Sequence, residues 1–524
     1  MVQNLNKFIL FICMLSIILS CNEEKKTSNQ FLNTNTSLTF QTALSGWYQF
    51  PLELAINTDS SIRIDTNQLE GYLLSTDSIL MRTELKNMGG IKRWTKPKLK
   101  DIKTGITIVN KESSSQKNNT RIYFDRSKKI EDQAMVLSMV IEPKDLFDYE
   151  TGIYTQGVYK NENDPKKGNY SQRGKKWKKI AYAHLFNTKG ALIYKSTIGV
   201  KIHGNLSRAQ PQKSFGLLLN AQFKSKMTKL NLFGEEKRYQ ELILRTPFTS
   251  SMQGQSVLMD SFIGEIALKI NLDAMASIPC NLYINGEYWG LYHLREKINE
   301  HSIAAKYLVS KKSISIVEFD RQSPGKYKAC YGDKSEHDSL IDFLNTNQRS
   351  EIEIYNYLTK KVDLNNVIDY LIVSTYFGNK DWPANNYKFW KSKELDNKWR
   401  FIIHDMDACF RKDNMFEYLL AENKKNGNNS QGSTILFKQL FKNQEFVTKY
   451  IARYKELEET LLNRSFLIKK LNLMTARLEP SLVHQIDRWH MPETEKLWIR
   501  KIEEMREFLK SRPKAYNKHL KELF

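Results

Sequence analysis

The sequence predicts an α+β protein with two lobes and a helical C-terminal region, preceded by a small β-rich domain. Three observations carry that expectation. Short alternating apolar segments fill the N-terminal part. Strand-like stretches, an amphipathic helix and a hairpin follow one another through the middle. From about Ser433 onward the spacing is almost wholly helical. With 524 residues, 41% of them hydrophobic and 26% charged, the chain can bury a large core, and its length suits about two to three domains.

The first segment reads as an address. Lys7 precedes the apolar run Phe8–Leu19, which is too short to span a bilayer and suits a signal-peptide core. It ends in Ile18-Leu19-Ser20-Cys21, which resembles a bacterial lipobox with Ile in place of the usual Leu. On this reading residues 1–20 are a lipoprotein signal peptide and Cys21 becomes the lipidated first residue. Residues 21–37, polar and rich in Asn and Thr, form a tether. The expected location is the cell envelope, periplasmic or surface-exposed, with the outer membrane as one anchor point. A plain secretory signal is the alternative. No later segment is long and apolar enough to cross a membrane. Cys280, Cys330 and Cys409 have neither disulfide-framework nor metal-ligand spacing and read as small buried hydrophobes.

Residues 38–127 carry alternating runs such as Ser61-Ile62-Arg63-Ile64 and Gly105-Ile106-Thr107-Ile108-Val109, a small β-rich domain. The second region spans 135–524 and opens with the strand Val136–Ile141. Strands Ile193–His203 and Ser214–Leu219 then flank a loop from Gly204 to Lys213. Apolar residues at helical spacing in Ser256–Ile270 give an amphipathic helix, and Asn285-Gly286 centres a hairpin within Asn281–Leu294. Helices are expected at about Asp338–Leu344, Glu351–Lys361 and Leu364–Tyr376, and an apolar strand at Trp399–Ile403.

The net charge of +22 favours acidic partners, yet the basic residues are scattered apart from Lys175-Lys176-Trp177-Lys178-Lys179. No zinc-finger spacing or aromatic-interleaved platform is present, so no nucleic-acid partner is expected. His203, His293 and His404 match no zinc motif and read as structural.

The chemistry concentrates in Asp381-Trp382-Pro383-Ala384-Asn385-Asn386 and Asp405-Met406-Asp407. An aspartate, an asparagine five positions on, a hairpin and then another aspartate is the order of parts in a protein-kinase active site. Asp381 is the candidate to orient or deprotonate a substrate hydroxyl, on a turn stiffened by Pro383. Asp405 and Asp407 end a buried strand, where two carboxylates repel unless a cation joins them. Strand alternation would point both to one face, where they could share a metal. An ordinary turn and an acidic cap are the plain alternatives, and the Asp-x-Asp of sugar-nucleotide transferases is a functional one. The loop with Gly204, Asn205, Ser207 and Arg208, ending at Lys213, can offer backbone N–H groups, a hydroxyl and a point charge to phosphates. Asp260 or Glu265, on the amphipathic helix, is a candidate partner for Lys213, and Glu296 lies where a hinge near an adenine would be.

These blocks resemble the CotH kinase family, from roughly Met135 to the C-terminus. The resemblance rests on Ile198–Arg208 with Pro211–Ser214, Asn281–Tyr292 with Arg295–Lys297, Asn379–Pro383 with Asn385-Asn386, and His404–Asp407. It implies a kinase-like fold and ATP-dependent phosphorylation of serine or threonine on a secreted or surface protein, with Mg²⁺ or Mn²⁺. By the same resemblance Asp381 is the catalytic aspartate, Asn386 and Asp405 are metal ligands, and Lys213 contacts phosphate. Asp407 is a further ligand, and Asn385 replaces Asn386 if the loop is offset by one. Leu206 departs from the small polar residue expected in that loop. A non-catalytic surface or assembly lipoprotein keeping the same fold is the competing reading.

Overall fold

The computed structural model describes residues 45–48 and 104, the strands between 52 and 125, and residues 126–524 apart from 131–132, 165, 227, 248–255, 321–326, 346–348, 384–385 and 421–430. The expected signal peptide, Cys21 and the tether lie outside the described residues, as does Asn385.

Among the described residues seven short strands come first: β1 (Gly46–Tyr48), β2 (Leu52–Asn57), β3 (Ser60–Ile64), β4 (Ser78–Arg82), β5 (Ile91–Thr95), β6 (Gly105–Asn110) and β7 (Asn119–Asp125). They form two hairpins, β2–β3 and β4–β5, and a sheet of order β1-β7-β6. Ile122 and Phe124 of β7 are buried with Tyr283 and Phe186 of the next unit, and Trp47 stacks on Phe124.

The next unit is a closed barrel. Its strands are β8 (Met135–Ile141), β9 (Lys179–Phe186), β10 (Leu192–His203), β11 (Ser214–Leu218), β14 (Glu241–Arg245), β16 (Ser277–Ile284) and β17 (Glu287–Glu296). Between these lie two short paired strands, β12 (Leu230–Asn231) and β13 (Glu236–Lys237), and β15 (Asp273–Ala274) of a second sheet. The barrel order is β10-β11-β14-β17-β16-β8-β9, antiparallel except for the β16–β8 pair. Alternation explains it: Ile198, Val200, Ile202, Phe215, Leu217, Leu242, Leu244 and Leu294 fill the interior, while the residues between them face outward. Asn285 and Gly286, with φ of 53° and 81°, make the tight β16–β17 turn, and the Asn285 amide also bonds both backbone groups of Ile141.

The second sheet has the order β15-β21-β20-β18-β19, with β18 (Ile314–Phe319), β19 (Tyr327–Tyr331), β20 (Lys388–Ser392) and β21 (Arg400–Ile403). The helices are α1 (Pro143–Phe147), α2 (Met259–Lys269), α3 (Glu300–Tyr307), α4 (Ser335–Asn345), α5 (Glu351–Lys361), α6 (Leu364–Tyr376), α7 (Met415–Leu420), α8 (Gln431–Lys442), α9 (Gln444–Glu459), α10 (Arg464–Trp489) and α11 (Glu495–Leu523). One core joins α2, the second sheet and the helices from α4 onward. Helix α10 is riveted to the barrel: Gln485 Oε1 accepts from Leu291 N at 2.8 Å, and buried Arg488 pairs with buried Glu287 at 2.7 Å. Among the described residues no helix is long and apolar enough to cross a membrane. Of the three cysteines expected to be buried, Cys280 and Cys409 are, but Cys330 is exposed on β19, where its thiol donates to Glu318 at 3.0 Å.

Candidate active site

Helix α6 delivers Asp381. Asp363 caps its N-terminus, accepting from Asn366 N at 3.1 Å, and buried Arg512 of α11 holds its C-terminal carbonyls, donating to Tyr376 O and Thr375 O at 2.6 Å each. The chain then turns through Gly378, whose φ of 63° and near-contact with Arg411 O leave no room for a side chain. Asn379 Oδ1 accepts from Asp381 N at 3.1 Å, fixing the start of the loop.

Backbone pairing brings this loop to the acidic turn. Lys380 N donates to Ala408 O at 3.1 Å, and Phe410 N to Phe377 O at 2.6 Å. Trp382 and Pro383 are buried, leaving Asp381 exposed above them, and the peptide between them is cis. Asn386 returns from the other side, its Nδ2 donating to Asp405 O at 3.2 Å. Both Asn386 (φ 56°) and Asp405 (φ 57°) adopt the left-handed conformation that Asn and Asp tolerate better than other residues.

A charged face of the barrel closes the cluster. Arg245, at the end of β14, contacts Asp405 and lies 2.8 Å from Asp407 Oδ2. Asp260, in the first turn of α2, accepts from Met406 N at 2.8 Å and pairs with Arg295 of β17. Burial pushes the Asp405 carboxyl up, but contact with Arg245 more than offsets this and holds it below the ordinary aspartate value. Asp407 behaves oppositely. Burial and then the charge on Asp405 push it up to about 7, with Asp260 and Asp381 adding to the effect against Arg245.

The remaining site candidates lie differently. Lys213 is turned inward: its ammonium donates to Arg208 O and Gln210 O at 2.7 Å each and faces the Tyr170 ring at 4.1 Å. Burial alone lowers its pKa to about 7. It pairs with neither expected acid, because Asp260 is held by Arg295 and Glu265 by Lys470 of α10. Arg208 is equally committed, donating to Gly204 O at 2.7 Å and Tyr170 O at 2.9 Å, so it shapes the loop instead of reaching outward. Gly204 has φ of 104°, a conformation that strains any residue with a side chain, and a Cβ there would also displace the Ser207 hydroxyl; Asn205 beside it is exposed. Register sets this loop at the Arg245 end of the barrel, since His203 pairs with Ser214 and Phe215 with Leu244. Glu296 pairs with Leu242 in the ladder, away from that end, and its carboxylate binds Lys237 at 2.8 Å.

The structure therefore gathers Asp381, Asn386, Asp405 and Asp407, and adds Arg245, Asp260 and Arg295, which sequence reasoning either missed or paired wrongly. The available signal was a charge closing the apolar strand Glu241-Leu242-Ile243-Leu244-Arg245. Among the described residues no group of three or more His, Cys, Asp or Glu side chains is arranged to hold a metal ion. The carboxylates of Asp405 and Asp407 and the Asn386 amide are nonetheless hard oxygen donors suited to Mg²⁺ or Mn²⁺. Burial, and after it the Asp405 charge, push Asp407 up, and a divalent cation between the two carboxylates would act in the opposite direction.

The sequence pattern described as CotH kinase protein matches residues 200–516, more than half of the chain. Among solved structures, the crystal structure of a Helicobacter pylori proinflammatory kinase, CtkA, aligns at 12% identity, covering 59% of this chain and 94% of that one with a TM-score of 0.24. No curated relative matches. The family pattern takes in the Gly204 loop, Arg245, Asp381, Asn386 and the Asp405–Asp407 turn, and on that match the chain belongs to the CotH kinase protein family.

Proposed function

We propose that this protein is an atypical protein kinase that transfers the γ-phosphoryl group of ATP to a serine or threonine of a secreted or surface protein, with Mg²⁺ or Mn²⁺. The observation that carries this is the backbone pairing of residues 377–380 with 408–410, which sets exposed Asp381 beside the Asp405–Asp407 turn. Bound metal–nucleotide supplies the transferable group and neutralises its charge. Asp405, Asp407 and Asn386 would hold the cation. Asp381 orients the substrate hydroxyl and takes its proton at the carboxylate as the new O–P bond forms and the bond from the γ-phosphorus to the bridging oxygen breaks, that oxygen leaving on ADP. Arg245 fixes the barrel against Asp405 and Asp407, Arg295 holds Asp260, whose carboxylate accepts from Met406 N in the same turn, and the Gly204 loop borders the site. A lipid on Cys21, on a membrane of the cell envelope, would hold the enzyme near exported substrates.

A second reading, a non-catalytic assembly lipoprotein, draws on Arg245, which already joins Asp405 to Asp407 as a resident cation. Transfer of labelled phosphate from ATP with Mg²⁺ or Mn²⁺, comparing wild type with Asp381→Ala and Asp405→Ala, separates the two. The kinase reading expects incorporation by wild type alone. Equal incorporation by all three proteins removes these residues from the mechanism. No incorporation by any, together with no metal-dependent nucleotide binding, favours the assembly protein.

A further inference from the structure

The basic run Lys175-Lys176-Trp177-Lys178-Lys179 has no part in the mechanism above. Lys179, the first residue of β9, is tied to an acid, Asp145 at 3.3 Å. Arg173, Lys175 and Lys176 are exposed and Lys178 is half-buried, and none of these four makes an ion pair among the described residues. The run is nevertheless fixed in place. Trp177 is buried in the barrel core with the Tyr159 ring edge-on at 5.6 Å, and the short helical turn Lys175–Trp177 leaves both its lysines in solvent.

Contacts and register place this run beside the site. Arg208 Nη1 donates to Tyr170 O at 2.9 Å and to Gln172 O at 3.1 Å, which ties the segment to the Gly204 loop. Burial, then the charge of Arg173, lower the Arg208 pKa to about 10, so Arg173 is within electrostatic reach of that loop. In the ladder Lys179 pairs with Val200, and β10 then runs to His203, level with Ser214 and the Arg245 end of the barrel. The residues before Lys179 therefore extend toward that same end. Three strand spacings, β9 to β10 to β11 to β14, separate the run from Arg245, about 14 Å along the sheet. An extended peptide covers that span with about four residues.

We infer that Arg173, Lys175, Lys176 and Lys178 form a docking surface for an acidic stretch of the protein substrate, about four or more residues along the chain from the hydroxyl that Asp381 receives. The inference rests on the kinase reading and names the substrate class of that site, a chain with clustered Asp or Glu. Charge complementarity carries it: four cations without acidic partners close together raise the local potential, and several carboxylates on one chain answer them together. Position favours a substrate chain over a lipid face, since the run adjoins the loop that borders the site. Val158 and Tyr159, 47% and 44% exposed, adjoin Trp177 and offer apolar contact to either, so vesicles are the control.

Fluorescence anisotropy on the full chain tests it with labelled peptides in which short Gly-Ala spacers join a serine to glutamate blocks on both sides, alongside glutamine and lysine counterparts. Wild type should bind the glutamate peptide about tenfold tighter than the glutamine one, and Arg173→Gln, Lys175→Gln and Lys176→Gln combined should erase most of that preference. These side chains are exposed, so the triple variant should melt like wild type and bind ATP with Mn²⁺ as before. Lys175→Glu with Lys176→Glu should move the preference to the lysine peptide, which a purely structural role would not do. In phosphate transfer, the triple variant should raise KM for the glutamate peptide with kcat within about twofold of wild type. Equal binding of the glutamate and glutamine peptides by wild type, or an intact preference in the triple variant, overturns the inference and leaves the kinase reading standing. Loss of binding to phosphatidylglycerol vesicles in the triple variant, with its peptide preference intact, overturns it in favour of a membrane face. The expected peptide preferences without phosphate transfer by wild type overturn the kinase reading and leave the acidic-chain surface standing.

Discussion

Arg245 Nη2 lies 2.8 Å from Asp407 Oδ2, and the same nitrogen contacts Asp405, so one guanidinium ties the barrel to both aspartates of the turn. Removing that charge leaves clustered carboxylates without their nearest cation. Arg245→Met should therefore cost about 2–3 kcal/mol at neutral pH, less than a fully buried pair because these side chains remain partly hydrated. Millimolar Mn²⁺ should restore more melting temperature to this variant than to wild type. Melting curves with and without Mn²⁺ check this, and a variant melting like wild type, indifferent to the cation, refutes it.

Asn386 joins two roles that substitution can separate. Its φ of 56° suits Asn or Gly, and its amide reaches Asp405 O. Asn386→Gly should keep the melting temperature within a few degrees yet lose phosphate transfer. Asn386→Ala should lose transfer and also about 1 kcal/mol of stability, from a side chain forced into the left-handed region. Equal activity in Asn386→Gly and wild type would remove the amide from the site.

Lys213 gives a pH dependence of definite sign. Its pKa is lowered to about 7 in the folded chain from an ordinary 10.5, so across that window the unfolded chain holds a proton the folded chain has lost. Stability should therefore rise with pH between about 7 and 10.5, by at most about 1.4 kcal/mol per unit from this group. Urea unfolding of wild type and Lys213→Met from pH 6.5 to 10 isolates it. Parallel profiles for the two proteins would show that the ammonium is not buried as described.

Arg512 is 2% exposed and donates to two carbonyls at the end of α6. Arg512→Met should cost about 3 kcal/mol, because both carbonyls lose a charged donor. Hydrogen exchange should quicken at residues 377–381 more than in the barrel. Uniform quickening would mean that Arg512 stabilises the fold without positioning the loop.

Local pattern made much of this legible. Asn285-Gly286 announced the β16–β17 hairpin, apolar spacing announced α2 and α6, and the aspartates sat at the ends of recognisable elements. What stayed hidden depends on contacts far apart in sequence. Closure of the barrel needs the parallel β16–β8 pair, which no turn signal encodes. Lys201 lies within β10 and Lys213 just before β11, and only the folded chain turns one ammonium onto the loop carbonyls of Arg208 and Gln210 and the other toward Glu241 on the outer face. Arg245 looked like the end of an apolar run; its partners come from a turn 160 residues later.

The grip of Arg512 on α6 also bears on synthesis. The loop carrying Asp381 leaves the ribosome long before the helix that clamps it, so the nascent chain carries its acidic loop without the arginine that sets its geometry. Whatever nucleotide surrounds the chain during manufacture thus meets an unfinished site. On the kinase reading, the end of α6 that delivers Asp381 is clamped only once α11 docks against it.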